Sequence, residues 1–497
     1  MSDKLIMAVD QGTSGTKTVV FDDRGRIGAK AVSELKSSYP EPGYVEQDPY
    51  EIFESVTESV KECAAQFETR GGDLSGLTAC GITNQRETFI LWDEHGEPLC
   101  NAVVWQCQRS VDVCNRLKNT EIEQEIIERT GLIIDPYFSG TKLIWLYEND
   151  PRVRQAIDSK KAYFGTIDTW LLFKLTNGAC YCTDHTNASR TLLFNINDMQ
   201  WDSYLLKEFN VQNLNMPEIH PSSYPYGESD FDGLFPGELR ITGMIGDSHA
   251  AAFGEGCFSP GTAKATLGTG SSVLLNTGGE RVRSGSGMMT TVCWSIPGRI
   301  DYALEGIIVS AGSTVKWLRD QIGLFTDSSD TEYLAEAVDD NNGVYLIPAF
   351  SGLGAPHWQM DLRGTIVGLT FGATKNHIVR AALESIPYQL KDVIDAMERD
   401  SGIPLAELKV DGGITDNTFV MKLLADLIGV GVVNIGIAEV SALGVAFMAG
   451  LEAGVYEDIE SLESIRTDLT RYTPGSDAQR SLGDYQQWQR HISDMIK

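Results

Sequence analysis

Apolar and β-branched residues dominate 5–9 and 18–21, and between them lies the polar, glycine-bearing stretch Asp10-Gln-Gly-Thr-Ser-Gly-Thr-Lys17. This pattern predicts two strands joined as a hairpin. It returns in the second half, where 263–266 and 272–275 flank Leu267-Gly-Thr-Gly-Ser271. The tip of each hairpin offers backbone amides and small hydroxyls, a suitable lining for a phosphate chain. Taken singly, each is equally well an ordinary tight hairpin, because short glycine motifs match often by chance. Two of them in one chain suggest two related halves that close on a nucleotide.

Elsewhere the periodicity alternates between helix and strand. An amphipathic stretch over 49–66 follows Asp48, a suitable N-cap, and predicts a helix. Strand patterns over 77–82 and 88–92 flank Asn84-Gln-Arg86-Glu87, while 110–130 and 141–149 read as helical. A glycine-rich junction spans 246–261, and the domain boundary is placed at 255, giving domains 1–255 and 256–497. Beyond it the pattern predicts strands at 343–348, 366–369 and 408–410 and helices at 376–400 and 417–428. The apolar stretch 429–450 is broken by Asn434 and Glu439 and reads as strand, loop and buried helix rather than a membrane span. The expected class is α/β, with a ligand cleft between two domains.

Composition narrows the functional classes. At 497 residues with 42% apolar and 22% charged positions, the chain is globular and too long for one ordinary core. A net charge of −29 argues against wide nucleic-acid or anionic-membrane surfaces, so neither is expected as a partner. It also means that any nucleotide must be held by local amides, a few cations and Mg²⁺. The start of the chain shows no basic and apolar leader, which predicts a soluble, cytoplasmic protein. The nine cysteines include no Cys-x-x-Cys pair, and none of the seven histidines falls in His-x-x-x-His spacing. Reduced thiols are therefore expected, with no disulfide framework and no zinc or other protein-built transition-metal site.

Neither a Walker A sequence nor a G-x-G-x-x-G fingerprint is present, so ATP would have to be held by the hairpins. The segments Asp10 to Lys17, Leu267-Gly-Thr-Gly270 and Val410-Asp-Gly-Gly413 occur in the order of the two phosphate loops and the adenosine loop of actin/hexokinase-like ATPases. Tyr137-Phe-Ser-Gly-Thr-Lys-Leu-Ile-Trp-Leu-Tyr-Glu-Asn149 is similar to one signature of the FGGY carbohydrate kinases. Gly364-Thr-Ile-Val-Gly-Leu369, continuing through His377 to Glu384, is similar to the other. Further similar segments are Asn84 to Thr88, Thr183-Asp-His-Thr-Asn-Ala-Ser-Arg190, Pro348 to Pro356 and Ala442-Leu-Gly444, so the likeness extends from residue 5 to about 450. The chain resembles this family, and within it the members that act on glycerol. The resemblance implies a two-domain actin/hexokinase-like (ribonuclease H-like) fold with duplicated halves and an interdomain cleft. It also implies ATP and Mg²⁺ as cofactors and, by family analogy, a homodimer.

The resemblance further implies residue roles. Asp247 falls where the family has its catalytic base, a task that suits a carboxylate because the acceptor alcohol sheds its proton late. The plain alternative is an Asp capping a helix over 250–253. Arg86 and Glu87 would hydrogen-bond substrate hydroxyls, one as donor and the other as acceptor; otherwise they form a solvated salt bridge at a strand end. Tyr137 and Trp105 would contact the substrate's hydroxyl and carbon face, or would simply be core. Ser248 would line the same pocket. Thr13, Ser14 and Lys17 would meet the terminal phosphates, Thr269 and Gly312 the middle of the phosphate chain, and Gly413 and Asn417 the base and ribose, while Lys316 stands where the family has a glutamine that touches nucleotide. Asp10 would hold Mg²⁺, through water.

Departures from the glycerol-specific pattern lie at Ser248, where a longer side chain is usual, at Ser272, where an aromatic is usual, and at Cys107 and Gln108. They suggest a roomier, more polar pocket, with a four- to six-carbon polyol or a ketose as the alternative acceptor. The expected activity is ATP-dependent phosphorylation of a primary hydroxyl on a small polyol, glycerol first. A non-enzymatic ATP-binding regulator on the same fold is the rival, and it has no use for Arg86, Glu87 or Asp247. The loop 236–240 lacks the Gly-Gly-Thr-Arg pattern tied to fructose 1,6-bisphosphate inhibition, so none is expected.

Overall fold

A computed structural model describes residues 4–235, 237–437, 439–465 and 469–497. Residues 1–3, where no leader pattern is read, and Pro236 of the 236–240 loop lie outside them. The chain forms two compact units: Met1–Gly256 with Thr291–Tyr302 and Glu439–Arg466, and Cys257–Thr290 with Ala303–Ala438 and Thr467–Lys497.

The first unit is built on a six-stranded sheet in the order Ser223–Ser229, Leu239–Gly246, Leu77–Asn84, Leu5–Gly12, Gly15–Asp22 and Ile27–Glu34. The hairpin predicted from the opening pattern is present, with Asp10 opposite Lys17 and Gly12 opposite Gly15, so Thr13 and Ser14 form its tip. Leu77–Asn84 runs parallel to both Leu5–Gly12 and Leu239–Gly246, which brings Asn84, Gln11 and Gly246 to the same ends of three strands. Helix Pro49–Thr69 begins after Asp48, whose side chain accepts from the Tyr50 amide. It is fixed to the sheet by Ser55 and Ser59, whose hydroxyls meet those of Thr16 at 2.6 Å and Thr18 at 2.7 Å. Beneath lies a core in which Trp92 and Trp170 are fully buried, their rings 5.3 Å apart. Burying each such large apolar side chain contributes roughly 2–3 kcal/mol before entropy is counted.

A smaller sheet in this unit, in the order Glu46–Gln47, Ala102–Val103, Phe89–Trp92 and Tyr163–Thr166, fixes the loops before 89 and after 103. The helical pattern over 110–130 resolves into two helices, Val111–Leu117 and Glu121–Thr130. The break has a local cause: Asn119 adopts φ 60°, and the Thr120 hydroxyl turns back onto the Leu117 carbonyl at 2.5 Å. The glycine-rich junction opens with the helix Asp247–Gly254, which contains the helix weighed over 250–253 and begins three residues earlier. Small residues there allow the helix Val440–Glu452 to approach so closely that a Cβ on Gly444 would stand 1.8 Å from the Ala250 carbonyl oxygen.

The second unit repeats the design. Its hairpin, Thr262–Leu267 with Ser271–Gly278, lies beside the parallel strand Glu407–Asp411, followed in the sheet by Val432–Asn434 and Thr470–Tyr472. Helices Lys375–Ser401 and Thr418–Ile428 supply much of the core against this sheet. The strand patterns at 343–348 and 366–369 become the antiparallel pair Tyr345–Ile347 and Thr365–Val367.

Candidate active site

In the first unit the hairpin tip is braced from behind. The Gln47 amide donates to the Thr13 carbonyl at 2.7 Å, and Gln85 donates to both Gln11 and Gln47. The tip itself stays accessible, with Ser14 exposed and Thr13 half-buried. Lys17, expected at the terminal phosphates, makes an ion pair with Glu439, which also accepts from Lys30 at 2.9 Å. Asp10, cross-strand from Lys17, has its carboxyl pushed up to about 7 by burial; Lys17 opposes the rise, while Asp247 and Glu439 add to it. The unit therefore gathers three carboxylates, Asp10, Asp247 and Glu439, whose repulsion is offset by Lys17 and Lys30 on Glu439 and Arg86 on Asp247. A divalent cation at Asp10 would relieve that field, so the donor set fits Mg²⁺, which favours hard oxygen ligands and retains water.

Arg86 and Glu87 occupy the short link between strands Leu77–Asn84 and Phe89–Trp92. They are not a solvated pair, since Arg86 is 5% exposed and Glu87 is buried. The Thr88 amide bonds the Arg86 carbonyl at 2.7 Å, and Glu87 between them sits at φ 62°. Such a backbone conformation is costly for a residue with a Cβ and persists only where the surroundings impose it. Those surroundings are the Arg190 guanidinium, donating to the Glu87 carboxylate at 2.6 Å, and the Ser139 hydroxyl, donating to the Glu87 carbonyl at 2.8 Å. Arg86 turns the other way and pairs with Asp247, Nε to Oδ1 at 3.2 Å.

Trp105 and Tyr137 are half-buried and meet edge to face, with centroids 5.4 Å apart. The Trp105 indole donates to the Thr13 hydroxyl at 2.9 Å, joining the aromatic wall to the hairpin tip. Both backbones are pinned by one residue that the sequence reading did not single out. Fully buried Lys142 donates to the Tyr137 carbonyl at 2.7 Å, to Pro136 at 3.0 Å and to Trp105 at 3.5 Å. Burial lowers its ammonium to about 8.

Asp247 opens its helix, but Gly246 is the N-cap, and the carboxylate accepts from the adjacent Ser248 amide at 2.7 Å. The capping role weighed from sequence is thus not the one this side chain plays. It stands 41% exposed beside Arg86 and close enough to Asp10 for their charges to interact. Its position is set from below: the Gly246 amide donates to Thr186, whose hydroxyl is held by Asp184. Ser248, the next residue, is half-buried.

The second unit collects the remaining candidates. The amides of Ala311 and Gly312 donate to the Thr269 and Gly268 carbonyls at 3.0 Å each, so the hairpin tip and the start of helix Gly312–Trp317 form one surface. Gly412, at φ 94°, packs against the Leu267 backbone and delivers exposed Gly413 alongside. Asn417 is partly committed: it caps helix Thr418–Ile428 through Val420 and reaches Thr331 at 3.3 Å. Lys316 is exposed in the last turn of its helix.

Arg190, Lys142 and Glu439 are the residues that sequence reasoning passed over. Arg190 and Lys142 lie inside the segments that carried the resemblance, and Glu439 had shown itself as a lone acid in an apolar run.

Comparison with known proteins identifies the family. The FGGY family of carbohydrate kinases matches with its N-terminal domain over residues 5–254 and its C-terminal domain over 263–453. A glycerol kinase of Shewanella sp. (strain W3-18-1) is 46% identical over 494 residues, covering 99% of each chain. The crystal structure of Plasmodium falciparum glycerol kinase with ADP superposes with a TM-score of 0.94 at 35% identity, over 100% of this chain and 99% of that one. A gluconate kinase from Lactobacillus acidophilus shares the fold, with a TM-score of 0.89 at 21% identity over 99% and 98% of the two chains.

Proposed function

Because this chain belongs to the FGGY family of carbohydrate kinases, we propose that it transfers the γ-phosphoryl group of ATP to a primary hydroxyl of glycerol. The observation that carries the residue assignment is the pairing of Arg86 with Asp247 while neighbouring Glu87 is locked by Arg190. A donor and an acceptor are thereby fixed side by side next to an accessible carboxylate, an arrangement that orients a diol and removes one proton. In this reading Arg86 and Glu87 hold two hydroxyls, and the Trp105 and Tyr137 rings cover the carbon face. Ser248 closes the same pocket.

Asp247 accepts the proton of the attacking hydroxyl as its oxygen bonds to the γ-phosphorus and the bond to the β-phosphate oxygen breaks, leaving ADP. With a loose transition state, positioning and charge neutralisation matter more than base strength. Thr13, Ser14 and Lys17 receive the terminal phosphates, with Thr269, Gly312, Lys316, Gly413 and Asn417 along the rest of the nucleotide. Asp10 would hold Mg²⁺, which when bound neutralises phosphate charge. Lys17 is then shared between Glu439 and the incoming phosphate. A cytoplasmic location, where ATP is kept, fits nine free cysteines, and among the described residues no helix is long and apolar enough to cross a membrane. Assembly as a homodimer rests on the family likeness.

Two observations favour glycerol over a larger polyol or ketose. The Ser272 hydroxyl donates to Glu305 at 3.0 Å, so its polarity is met within the protein. Cys107 is fully buried and accepts from the Arg109 guanidinium at 3.0 Å, so that departure serves internal packing. A coupled ADP-release assay over three- to six-carbon polyols and ketoses tests the reading. Glycerol should give the highest kcat/KM, and a ketose turned over more efficiently would overturn the assignment.

A further inference from the structure

The first unit contains a cluster that the kinase reading does not use. Strands Cys182–Asp184 and Glu218–His220 pair in parallel, with Glu218 opposite Cys182 and His220 opposite Asp184. Side chains two residues apart on a strand share a face, so the register places a thiol, a carboxylate and an imidazole together. Their donor atoms all lie within 4.8 Å of one another.

We propose that Cys182, Glu218 and His220 form a binding site for one zinc-class divalent ion. This departs from the expectation of no transition-metal site, which rested on linear spacing; here the ligands come from two strands 36 positions apart and leave no linear motif.

The donor types suit such an ion, because thiolate and imidazole favour zinc over magnesium or calcium. Bonds of about 2.0–2.3 Å in a tetrahedron put ligand atoms roughly 3.3–3.8 Å apart. His220 Nε2 and Glu218 Oε2 already stand 3.5 Å apart. Glu218 is the freest of the three, with a side chain 80% exposed, so it can swing onto an arriving ion, while water completes the tetrahedron on the open side. His220 is held flat against Tyr224, ring centroids 3.9 Å apart and planes 4° from parallel, which fixes the ring as a metal site requires. Burial lowers the His220 pKa, so the neutral, ligating imidazole prevails. Burial raises the Cys182 thiol to about 11, so binding must displace that proton to solvent as the sulfur–metal bond forms. The inference is independent of the polyol assignment.

The test uses the full chain stripped with a chelator and titrated with zinc against a competing chromophoric indicator. One ion per chain is expected, lost in Cys182→Ser and in His220→Ala and weakened in Glu218→Ala, whose exposed position leaves folding unaffected. Cys180→Ser should retain it, which separates this site from general thiol reactivity. Cadmium or cobalt should give a thiolate charge-transfer band in the wild type and in Cys180→Ser, but none in Cys182→Ser. A stoichiometric ion or a band that survives Cys182→Ser would overturn the proposal, as would a wild-type chain that takes up no ion.

Discussion

Arg190 donates through Nε to the Glu87 carboxylate at 2.6 Å, and neither side chain reaches solvent. Removing one partner of such a pair strands a buried charge, at a cost of about 3–5 kcal/mol. Arg190→Met should lower the unfolding free energy by roughly that amount and raise KM for glycerol, because Glu87 relaxes from its φ of 62°. Arg190→Lys keeps the charge but loses the planar fork and should fall between. Denaturant unfolding and initial-rate kinetics together check this. A stability loss with unchanged KM would mean that Arg190 serves the fold alone.

Asp247→Asn keeps shape and polarity while removing the proton acceptor. It should cut kcat by about 10²- to 10⁴-fold and leave the melting temperature nearly unchanged, because the side chain is substantially exposed and Gly246 is the N-cap of its helix. Stopped-time product assays measure the effect. Turnover within a factor of a few of wild type would remove Asp247 from the mechanism.

Two glycine substitutions should separate packing from binding. Gly444→Ala places a methyl 1.8 Å from the Ala250 carbonyl and must push helix Asp247–Gly254 away. We expect about 1–3 kcal/mol of destabilisation and a fall in kcat as Asp247 shifts. Gly413→Ala meets nothing within 4 Å, so its melting temperature should hold while KM for ATP rises. Calorimetry beside ATP titrations distinguishes the two.

Asp168 is fully buried and accepts from Thr166 and Thr183, and its carboxyl is pushed up to about 7 by burial and by nearby Asp184. From pH 4 to 7 the unfolded chain has released this proton while the folded chain retains it. The folded state then binds more protons, and stability falls as pH rises through that window. Asp168→Asn should flatten this part of the profile by roughly 2–4 kcal/mol, read as the difference between wild-type and variant unfolding across pH 4–8. Parallel curves for the two proteins would contradict the shifted carboxyl.

Much of the site was legible in sequence because its parts are local. A hairpin around 10–17 needs only alternating strand formers and a glycine-rich turn, and the helix after Asp48 announces its own cap. Arg86 and Glu87 were visible as an adjacent donor and acceptor, and the segments that resembled the family marked where to look. The split of the 110–130 helix was missed because hydrophobic periodicity does not register a single residue in the left-handed region, which Asn119 adopts. The helix weighed over 250–253 was found to start at Asp247, with Gly246 rather than the Asp247 carboxylate as its cap.

The sequence by itself determined the alternation of strands and helices, the two glycine-tipped hairpins and the kinship with a phosphoryl-transfer family, since each is written in neighbouring residues. Only the tertiary structure decided that Glu87 answers to Arg190, that Lys17 is shared with Glu439, and that Cys182 comes to face His220. Those relationships join positions from 38 to 422 residues apart. Buried charges must find partners wherever the packed chain brings them, and no linear spacing encodes which partner that will be.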